Sequence, residues 1–128
     1  MNSGEPSDQP SPVAAAVLVV DDEVLARAVL AEELRDAGYA VVEASSADEA
    51  VAVLLSDVVI ALVVTDVRMP GSMDGVGLAR LLRADYPSVW VLMMSSEPQA
   101  LEVREAVDGF FQKPYDLLQV RARIQALL

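Results

Sequence analysis

Strand-length apolar runs alternate with longer amphipathic stretches along almost the whole of this 128-residue chain. Residues 13–20, 58–65 and 88–95 are almost wholly apolar, which is typical of parallel strands that are buried on both faces. Stretches with helical spacing, such as residues 23–37 and 116–128, lie between or after these runs. Strands that alternate with helices predict an α/β fold, with a parallel sheet that carries helices on both faces.

The alternation divides the chain into five predicted strands and five predicted helices. The strands are expected at residues 13–20, 39–44, 58–65, 88–95 and 109–112. The helices are expected at residues 23–37, 46–55, 74–84, 97–107 and 116–128. Gly38 stands where the first helix should end, because glycine is favoured just past a helix. Ser46 and Glu49 have the spacing of a capping box, which predicts the start of the second helix.

The composition fits a single folded domain that follows a short tail. Residues 1–12 are rich in Pro, Ser, Gly and acidic residues and offer nothing to bury, so we expect this tail to be disordered. Residues 13–128 are expected to form the domain. The chain contains neither Cys nor His, which excludes disulfides, the usual zinc sites and nucleophiles or bases of these two types.

The charge balance restricts the classes of partner. Nine basic residues stand against twenty acidic ones, and the net charge of −11 argues against binding to nucleic acid or to an anionic membrane. The N-terminal residues lack the basic and apolar regions of a signal peptide, and no apolar run is long enough to span a bilayer. We therefore expect a cytoplasmic location.

Polar side chains stand at the predicted carboxyl ends of four strands. Asp21 and Asp22 follow the first strand, and Asp66 follows the third. Ser95 ends the fourth strand, and Lys113, the only lysine of the chain, follows the fifth. Ligands of open parallel sheets bind outside the carboxyl ends of the strands. If these four strands are neighbours, three carboxylates, a hydroxyl and an ammonium group converge at one edge.

These groups predict a specific chemistry. Crowded carboxylates repel one another and require positive charge nearby. Lys113 supplies one charge, and Mg²⁺, which prefers oxygen ligands and takes only one or two carboxylates from a protein, would supply the rest. An Asp beside such a metal can attack a phosphoryl group and carry it as an acyl phosphate. The pattern therefore indicates a phosphoacceptor, with Asp66 as the acceptor and the Ser95 hydroxyl available to a phosphoryl oxygen.

Each of these residues also has an ordinary structural alternative. Asp21 or Asp22 could cap the first helix, Asp66 could begin an Asx turn, and Ser95 or Ser96 could cap the fourth helix. Independent capping does not predict a lysine at the same edge of the sheet, so we favour the shared site.

Four short motifs carry a resemblance to a known family. In chain order they are VLVVDDE, LVVTDVRMPGSMDG, VLMMSSE and FFQKPY. Together they resemble the receiver domain of two-component response regulators, over the chain from about Val17 to its end. The resemblance implies a flavodoxin-like (βα)5 fold, with a five-stranded parallel sheet in the order 2-1-3-4-5.

The resemblance also implies a role for each matching residue. Asp66 resembles the phosphoacceptor, and Asp21 and Asp22 resemble the acid pair that holds Mg²⁺. The backbone carbonyl of Arg68 would be a further metal ligand. Ser95 matches the serine or threonine that takes part in catalysis and in switching.

Further matches and departures concern the surroundings of the acceptor. Lys113 matches the lysine of the family, and Phe110 matches its switch aromatic, without the hydroxyl of the common Tyr. Arg68 and Glu97 occupy positions that modulate the phosphoryl lifetime, and we expect them to pair across the pocket mouth. The loop from Pro70 to Asp74 is one residue longer than the usual pattern, so we expect a wider loop beside an intact site.

The expected function is that of a phosphoacceptor receiver. A histidine kinase or phosphotransfer protein would donate the phosphoryl group to Asp66. The face formed by the fourth helix, fifth strand and fifth helix would then signal to a downstream protein target. We expect a single-domain protein without DNA-binding output, and not an enzyme beyond its own phosphorylation and autodephosphorylation.

Two alternatives remain open. The chain could be the receiver module of a hybrid histidine kinase or of a larger regulator. It could also be an Asp-nucleophile phosphatase of the haloacid dehalogenase type, although that class expects an Asp-x-Asp nucleophile string after the first strand and a cap insertion. The first strand here ends in Asp-Asp-Glu, and no segment is long enough for a cap.

Overall fold

The computed structural model describes residues 15–128 of the chain. Its strands are β1 (Ala16–Val20), β2 (Val41–Ala44), β3 (Ile60–Asp66), β4 (Trp90–Ser95) and β5 (Gly109–Gln112). Its helices are α1 (Val24–Asp36), α2 (Ala47–Leu54), α3 (Gly75–Asp85), α4 (Leu101–Glu105) and α5 (Leu117–Leu127). The expected tail, residues 1–12, and the first two residues of the predicted first strand lie outside the described residues.

The strands form one parallel sheet in the order β2-β1-β3-β4-β5. This result confirms the predicted fold class and strand order. The order makes β1, β3, β4 and β5 consecutive neighbours. Their carboxyl ends, which carry the polar residues singled out in the sequence, therefore share one edge of the sheet.

Side chains of β1 alternate between two hydrophobic cores, one on each face of the sheet. Leu18 and Val20 belong to the core that α2 and α3 cover, whereas Val17 and Val19 belong to the core that α1 and α5 cover. Because both faces are buried, the central strands are apolar at nearly every position. The predicted apolar face of α5 packs into the second core through Leu117, Val120, Ile124 and Leu127.

Two helix ends follow the predicted signals, one of them with a difference. Gly38 lies just past α1 with a φ of 98°, a left-handed conformation that favours glycine. The Ser46 hydroxyl accepts a hydrogen bond from the backbone N–H of Glu49 at 3.1 Å, as in a capping box. The Glu49 carboxylate, however, accepts from the backbone N–H of Ser45 at 2.7 Å. In the predicted capping box the donor would be the N–H of Ser46, one residue later.

The fourth helix is much shorter than the predicted residues 97–107. It has five residues, and none of its side chains is buried. Pro98 disfavours helical geometry at Glu97, and little burial offsets that preference, because Val103 is only partly buried against the core and no α4 side chain is fully buried. The N-cap is Ala100, which makes no side-chain capping bond. The alternative in which Ser95 or Ser96 caps this helix is therefore wrong.

The carboxyl end of α4 is tied to α3 through one arginine. Arg83 Nε donates to the carbonyl oxygen of Ala106 at 2.7 Å, and the same guanidinium group binds the carboxylate of Asp108. Asp108 also accepts from the backbone N–H of Val91 at 2.8 Å. This end of α4 is thus held in place although no side chain of the helix is fully buried and only the partly buried Val103 packs against the core. Within residues 15–128, no helix has the length and apolar character needed to cross a membrane.

Gly75, the first residue of α3, permits a close approach to the end of β3 and provides a test of the packing. A Cβ at Gly75 would lie 1.9 Å from the carbonyl oxygen of Asp66, whereas a Cβ at Gly77 would first meet the flexible Met73 side chain, at 2.8 Å. We predict that Gly75→Ala lowers the free energy of unfolding by about 2 kcal/mol or more, because backbone atoms must shift. Gly77→Ala should change it by less than about 1 kcal/mol. Urea unfolding measures both, and equal midpoints for the two variants would contradict the prediction.

Candidate functional site

Three carboxylates meet where β1 and β3 end. The register pairs Val20 with Thr65, so the next residues, Asp21 and Asp66, emerge side by side. Single carboxylate oxygens of Asp21, Asp22 and Asp66 all lie within 4.8 Å of one another. Asp21 and Asp66 are buried, whereas Asp22 is exposed. The structure thus brings together the three acids that the sequence singled out.

The ammonium group of Lys113 lies among these carboxylates. The backbone N–H of Lys113 donates to the carbonyl oxygen of Ser95 at 2.8 Å, which holds the residue against β4. Its Nζ lies 3.2 Å from Asp66 Oδ2, 3.5 Å from Asp21 Oδ2 and 3.3 Å from Glu23 Oε1. Sequence reasoning did not single out Glu23, although its place directly after the Asp pair was a signal. The only lysine of the chain therefore contacts three carboxylates.

Burial and repulsion set the protonation behaviour of these groups. Burial raises the pKa of both Asp21 and Asp66, because a buried carboxylate loses hydration, and neighbouring carboxylates add to the rise. Lys113 opposes the rise in both cases. Burial by itself would lower the pKa of Lys113, but the carboxylates of Asp21 and Asp66 outweigh it and raise this pKa. One charged ammonium therefore compensates the carboxylates only in part.

The available donor atoms fit a small, hard dication. The clustered side chains offer oxygen atoms alone, and the chain has no His or Cys that could supply a softer ligand. Mg²⁺ prefers oxygen ligands and binds through few carboxylates. Burial first, and repulsion second, raise the pKa values of Asp21 and Asp66, and a dication at this position would favour the ionised form of both.

Ser95 lies at the same edge, at the end of β4. It is buried, and the neighbouring strands stay paired up to this point because the N–H of Val67 donates to the carbonyl oxygen of Met94 at 3.0 Å. The Ser95 hydroxyl oxygen accepts from the backbone N–H of Glu97 at 3.1 Å and from Nε2 of Gln99 at 3.2 Å. The hydroxyl therefore closes a turn after β4. Sequence reasoning missed Gln99, because a polar residue after Pro carries no distinguishing signal.

The capping alternatives do not account for the acids. Asp66 Oδ1 accepts from the adjacent N–H of Val67 at 2.9 Å, but Oδ2 accepts from Lys113 at 3.2 Å, across the sheet edge. Asp21 accepts from the N–H of Glu23 at 2.9 Å, but α1 has no side-chain cap at its N-terminus. Local turn contacts are thus present on one oxygen of each acid, while another oxygen faces the shared cluster.

Arg27 supports the acid pair from α1. It donates to the backbone carbonyl of Asp21 at 2.8 Å and forms an ion pair with Glu43 of β2 at 3.2 Å. Glu43 also binds Arg35 at 3.1 Å, which joins α1 to the edge strand. An arginine in an amphipathic helix is expected at the surface, so the sequence alone did not predict the contact of Arg27 with the Asp21 carbonyl.

Arg68 and Glu97 form the predicted ion pair beside the acid cluster. The Arg68 Nε lies 3.0 Å from Glu97 Oε1, and the two side chains are 75% and 53% exposed. Arg68 lines a hollow of about 430 Å³ together with Asp66 and Ser95, and it also lines an adjoining hollow of about 620 Å³ together with Asp22 and Glu97. The role of the Arg68 carbonyl as a metal ligand stays a prediction.

The longer loop after β3 contacts α2. Gly71 has a φ of 112°, and the Ser72 hydroxyl donates to the carboxylate of Asp48 at 3.1 Å. Asp74 caps α3 by accepting from the N–H of Gly77 at 2.9 Å, the capping role that its position indicates. These contacts carry the inserted residue towards α2, and the acid cluster beside it is complete.

Phe110 lies in β5, close to the polar edge. It pairs in register with Met93, two residues before Ser95, and it packs against the core on the α2 and α3 side. The guanidinium carbon of Arg104 lies 5.1 Å from the centre of the Phe110 ring. Phe111 packs on the opposite face, as the alternation of a strand requires. The switch role of Phe110 stays a prediction.

One protein-family model matches most of the chain. The family model described as "Response regulator receiver domain" matches residues 17–125. That range contains every residue of the site described above.

Solved structures with the same fold include two of high similarity. The crystal structure of a response regulator receiver protein from Pseudomonas putida has a TM-score of 0.82 and 30% identity, and the match covers 90% of this chain and 98% of that one. The crystal structure of the response regulator protein TrrA from Thermotoga maritima, in complex with Mg(2+)-BeF, has a TM-score of 0.80 and 27% identity. That match covers 89% of this chain and 99% of TrrA.

Curated relatives include longer proteins. The response regulator protein FleR of Pseudomonas aeruginosa is 36% identical over 118 residues, which cover 87% of this chain and 24% of FleR. The transcriptional regulatory protein PhoP of Escherichia coli is 33% identical over 116 residues, which cover 88% of this chain and 51% of PhoP. The chain thus spans about half, or less, of the length of these relatives.

The raised pKa of Asp66 predicts a dependence of stability on pH. Because this pKa is higher in the folded than in the unfolded chain, ionisation of Asp66 disfavours the fold as the pH rises through the folded-state pKa. Asp66→Asn should therefore have a higher free energy of unfolding than the wild type at about pH 7, and the excess should vanish near about pH 3, where the carboxyl group is protonated in both states.

Urea denaturation across this pH range measures the difference. Asp57→Asn, which makes the same change at an exposed position, is the matched control and should follow the wild type. A loss of stability in Asp66→Asn at about pH 7, or an excess that persists at about pH 3, would contradict the prediction.

Proposed function

The chain belongs to the response regulator receiver domain family, and from that premise we propose that Asp66 accepts a phosphoryl group. One observation carries the proposal. The Asp66 carboxylate is buried at the tip of a central strand, clustered with two other acids and in contact with the only lysine of the chain. A turn or a cap would not require this combination, whereas an activated acceptor of an anionic group does.

The transfer follows from the positions of the side chains. A carboxylate oxygen of Asp66 attacks the phosphorus atom of a phosphohistidine on a histidine kinase or a phosphotransfer protein. The new P–O bond forms as the P–N bond breaks, and the electron pair of that bond returns to the imidazole. Lys113 lies 3.2 Å from Asp66 Oδ2 and can bind an oxygen of the transferred group, and Ser95 can donate its hydroxyl proton to another.

We propose that Asp21, Asp22 and Asp66 hold Mg²⁺, with the backbone carbonyl of Arg68 as a further ligand. The carboxylate cluster fits this ion, and the TrrA structure in complex with Mg(2+)-BeF supports the proposal from a relative of the same fold. When bound, the metal ion supplies positive charge that neutralises the phosphoryl oxygens. The chain contributes the orientation of these ligands, which Arg27 supports through the carbonyl of Asp21.

The proposed output surface is formed by α4, β5 and α5. Phosphorylation adds negative charge beside Ser95 and Lys113 and draws both groups towards Asp66. Movement of Ser95 leaves space behind it, which Phe110 can fill by turning inward. The turn would break the contact between the Phe110 ring and Arg104, so the surface around α4 would change for a downstream protein. Phosphorylation shifts this equilibrium only through its preference for one state.

We propose that the domain is not an enzyme towards other molecules, and that its chemistry is limited to forming and hydrolysing its own aspartyl phosphate. The same chemistry serves a single-domain regulator, as predicted, or the receiver module of a longer one. The matched residues cover 24% of FleR and 51% of PhoP, so the same domain occurs within longer regulators. The family match argues against the phosphatase alternative.

Phosphorylation of Asp66 can be tested directly. Incubation with acetyl phosphate and Mg²⁺ should add about 80 daltons, one phosphoryl group, to the intact mass. Asp66→Asn should abolish the gain, because the amide is not a nucleophile, and excess EDTA should reduce it at least about tenfold. Asp57→Asn is the matched control and should be labelled like the wild type. An undiminished gain in Asp66→Asn would place the acceptor elsewhere.

The Arg68–Glu97 pair generates a prediction about the lifetime of the phosphoryl group. The pair can hinder the approach of water to Asp66, since Arg68 lines the hollow that contains this acid. Glu97→Ala should therefore speed the loss of the phosphoryl group, by roughly two- to fivefold, the factor that corresponds to an exposed ion pair. The decay of the phosphorylated mass over time measures the rate.

Glu102→Ala, at another exposed acid, is the control for the loss of one negative charge. It should leave the decay rate unchanged. Arg68→Ala should match Glu97→Ala, and the double variant should add nothing further. The same decay rate in Glu97→Ala and the wild type would overturn the proposed shielding.

A further inference from the structure

The Ser95 hydroxyl is held by two donors from the segment that follows it. The backbone N–H of Glu97 lies 3.1 Å from Ser95 Oγ, and Nε2 of Gln99 lies 3.2 Å from the same atom. Ser95 is only 2% exposed. A hydroxyl group has two acceptor lone pairs and one proton. With both lone pairs occupied, the remaining capacity of this group is to donate.

A second contact fixes the orientation of the Gln99 amide. Its Nε2 also lies 3.4 Å from the backbone carbonyl oxygen of Glu97. A carbonyl oxygen can only accept, so the amide must present its NH₂ group, and not its oxygen, on this side. The two hydrogens of that group are then shared between the Glu97 carbonyl and the Ser95 hydroxyl. The Gln99 side chain therefore cannot accept the Ser95 proton.

The proton of Ser95 is left for the acid site. The hydrogen bonds of the Ser95 hydroxyl within residues 15–128 are both accepted ones. Ser95 lines the same hollow as Asp66 and Lys113. The geometry points to Gln99 as a positioning residue, which occupies a lone pair of Ser95 so that the hydroxyl proton is free for a phosphoryl oxygen on Asp66. This inference rests on the proposed function of Asp66.

The same contact joins the hydroxyl to the output surface. Gln99 stands immediately before Ala100, the N-cap of α4. If Ser95 moves towards a phosphoryl group, the Gln99 amide and the Glu97 backbone N–H must move with it or lose their hydrogen bonds to its hydroxyl. Gln99 thus transmits the position of one hydroxyl group to the start of α4.

Two substitutions separate the hydrogen bond from the bulk of the side chain. Gln99→Met keeps the length but donates nothing, and should lower the rate of phosphorylation by acetyl phosphate about threefold. Gln99→Glu turns the group into an acceptor that competes for the Ser95 proton, and should lower the rate at least about tenfold. Gln125→Glu, at an exposed position of α5, controls for added charge and should match the wild type.

A double-mutant cycle separates positioning from general disturbance. In a Ser95→Ala background, Gln99→Met should have no further effect, because there is no hydroxyl group left to orient. Rates are measured over a range of acetyl phosphate concentrations, and the loss should fall on the maximal rate and not on the half-saturating concentration. A wild-type rate in Gln99→Met, or the same threefold loss in the Ser95→Ala background, would overturn the inference.

NMR spectra of the unphosphorylated protein test the role of Gln99 separately from the phosphorylation of Asp66. In ¹H–¹⁵N NMR spectra of the unphosphorylated protein, Ser95→Ala should shift the side-chain amide signals of Gln99 and the backbone signal of Glu97. Unshifted signals would overturn the positioning role, even if Asp66 is phosphorylated. If the wild type is not labelled on Asp66, the proposed function fails, and shifted signals would then support only the contact of Gln99 with the hydroxyl.

Discussion

Two buried carboxylates share a single ammonium group at the edge of this sheet, and the rest of the structure holds them there. Asp21 and Asp66 emerge from neighbouring strands, and Lys113 reaches both from the end of β5. The strand order, in which β1, β3, β4 and β5 are consecutive, brings these groups to one edge. The hydrophobic cores on both faces fix the strand ends, so the repelling charges cannot move apart without disturbing the packing.

The clustered carboxylates lower the stability of the fold, and the same arrangement makes the Asp66 carboxylate reactive. Burial raises the pKa of Asp66, which means that the ionised carboxylate is less favourable there than in water. The same loss of hydration leaves the oxygen available to react, and it lets added positive charge bind strongly. Arg27, which holds the backbone of Asp21 while paired with Glu43, shows that α1 and β2 also support the arrangement.

Sequence patterns predicted the central strands well, because a strand that is buried on both faces has an unbroken apolar run. They also predicted that the three acids and Lys113 lie close together, since the carboxyl ends of parallel strands meet at one edge and Lys113 has no capping role there. The predicted extent of α4 was wrong, because Pro98 and the shallow burial of α4 outweigh a helical spacing. Contacts such as that of Gln99 with Ser95 could not be predicted, since they depend on the path of a short irregular segment.

The two ends of α4 are attached to the domain in different ways. Arg83 fixes the carboxyl end to α3 through Ala106 and Asp108, whereas the segment before the helix is linked through the hydroxyl of Ser95. A displacement that begins at Ser95 would therefore move the first turn of α4 more than the carboxyl end, which Arg83 holds. Leu101 lies in that first turn and is 68% exposed, so its apolar side chain would take part in the change of the outer surface.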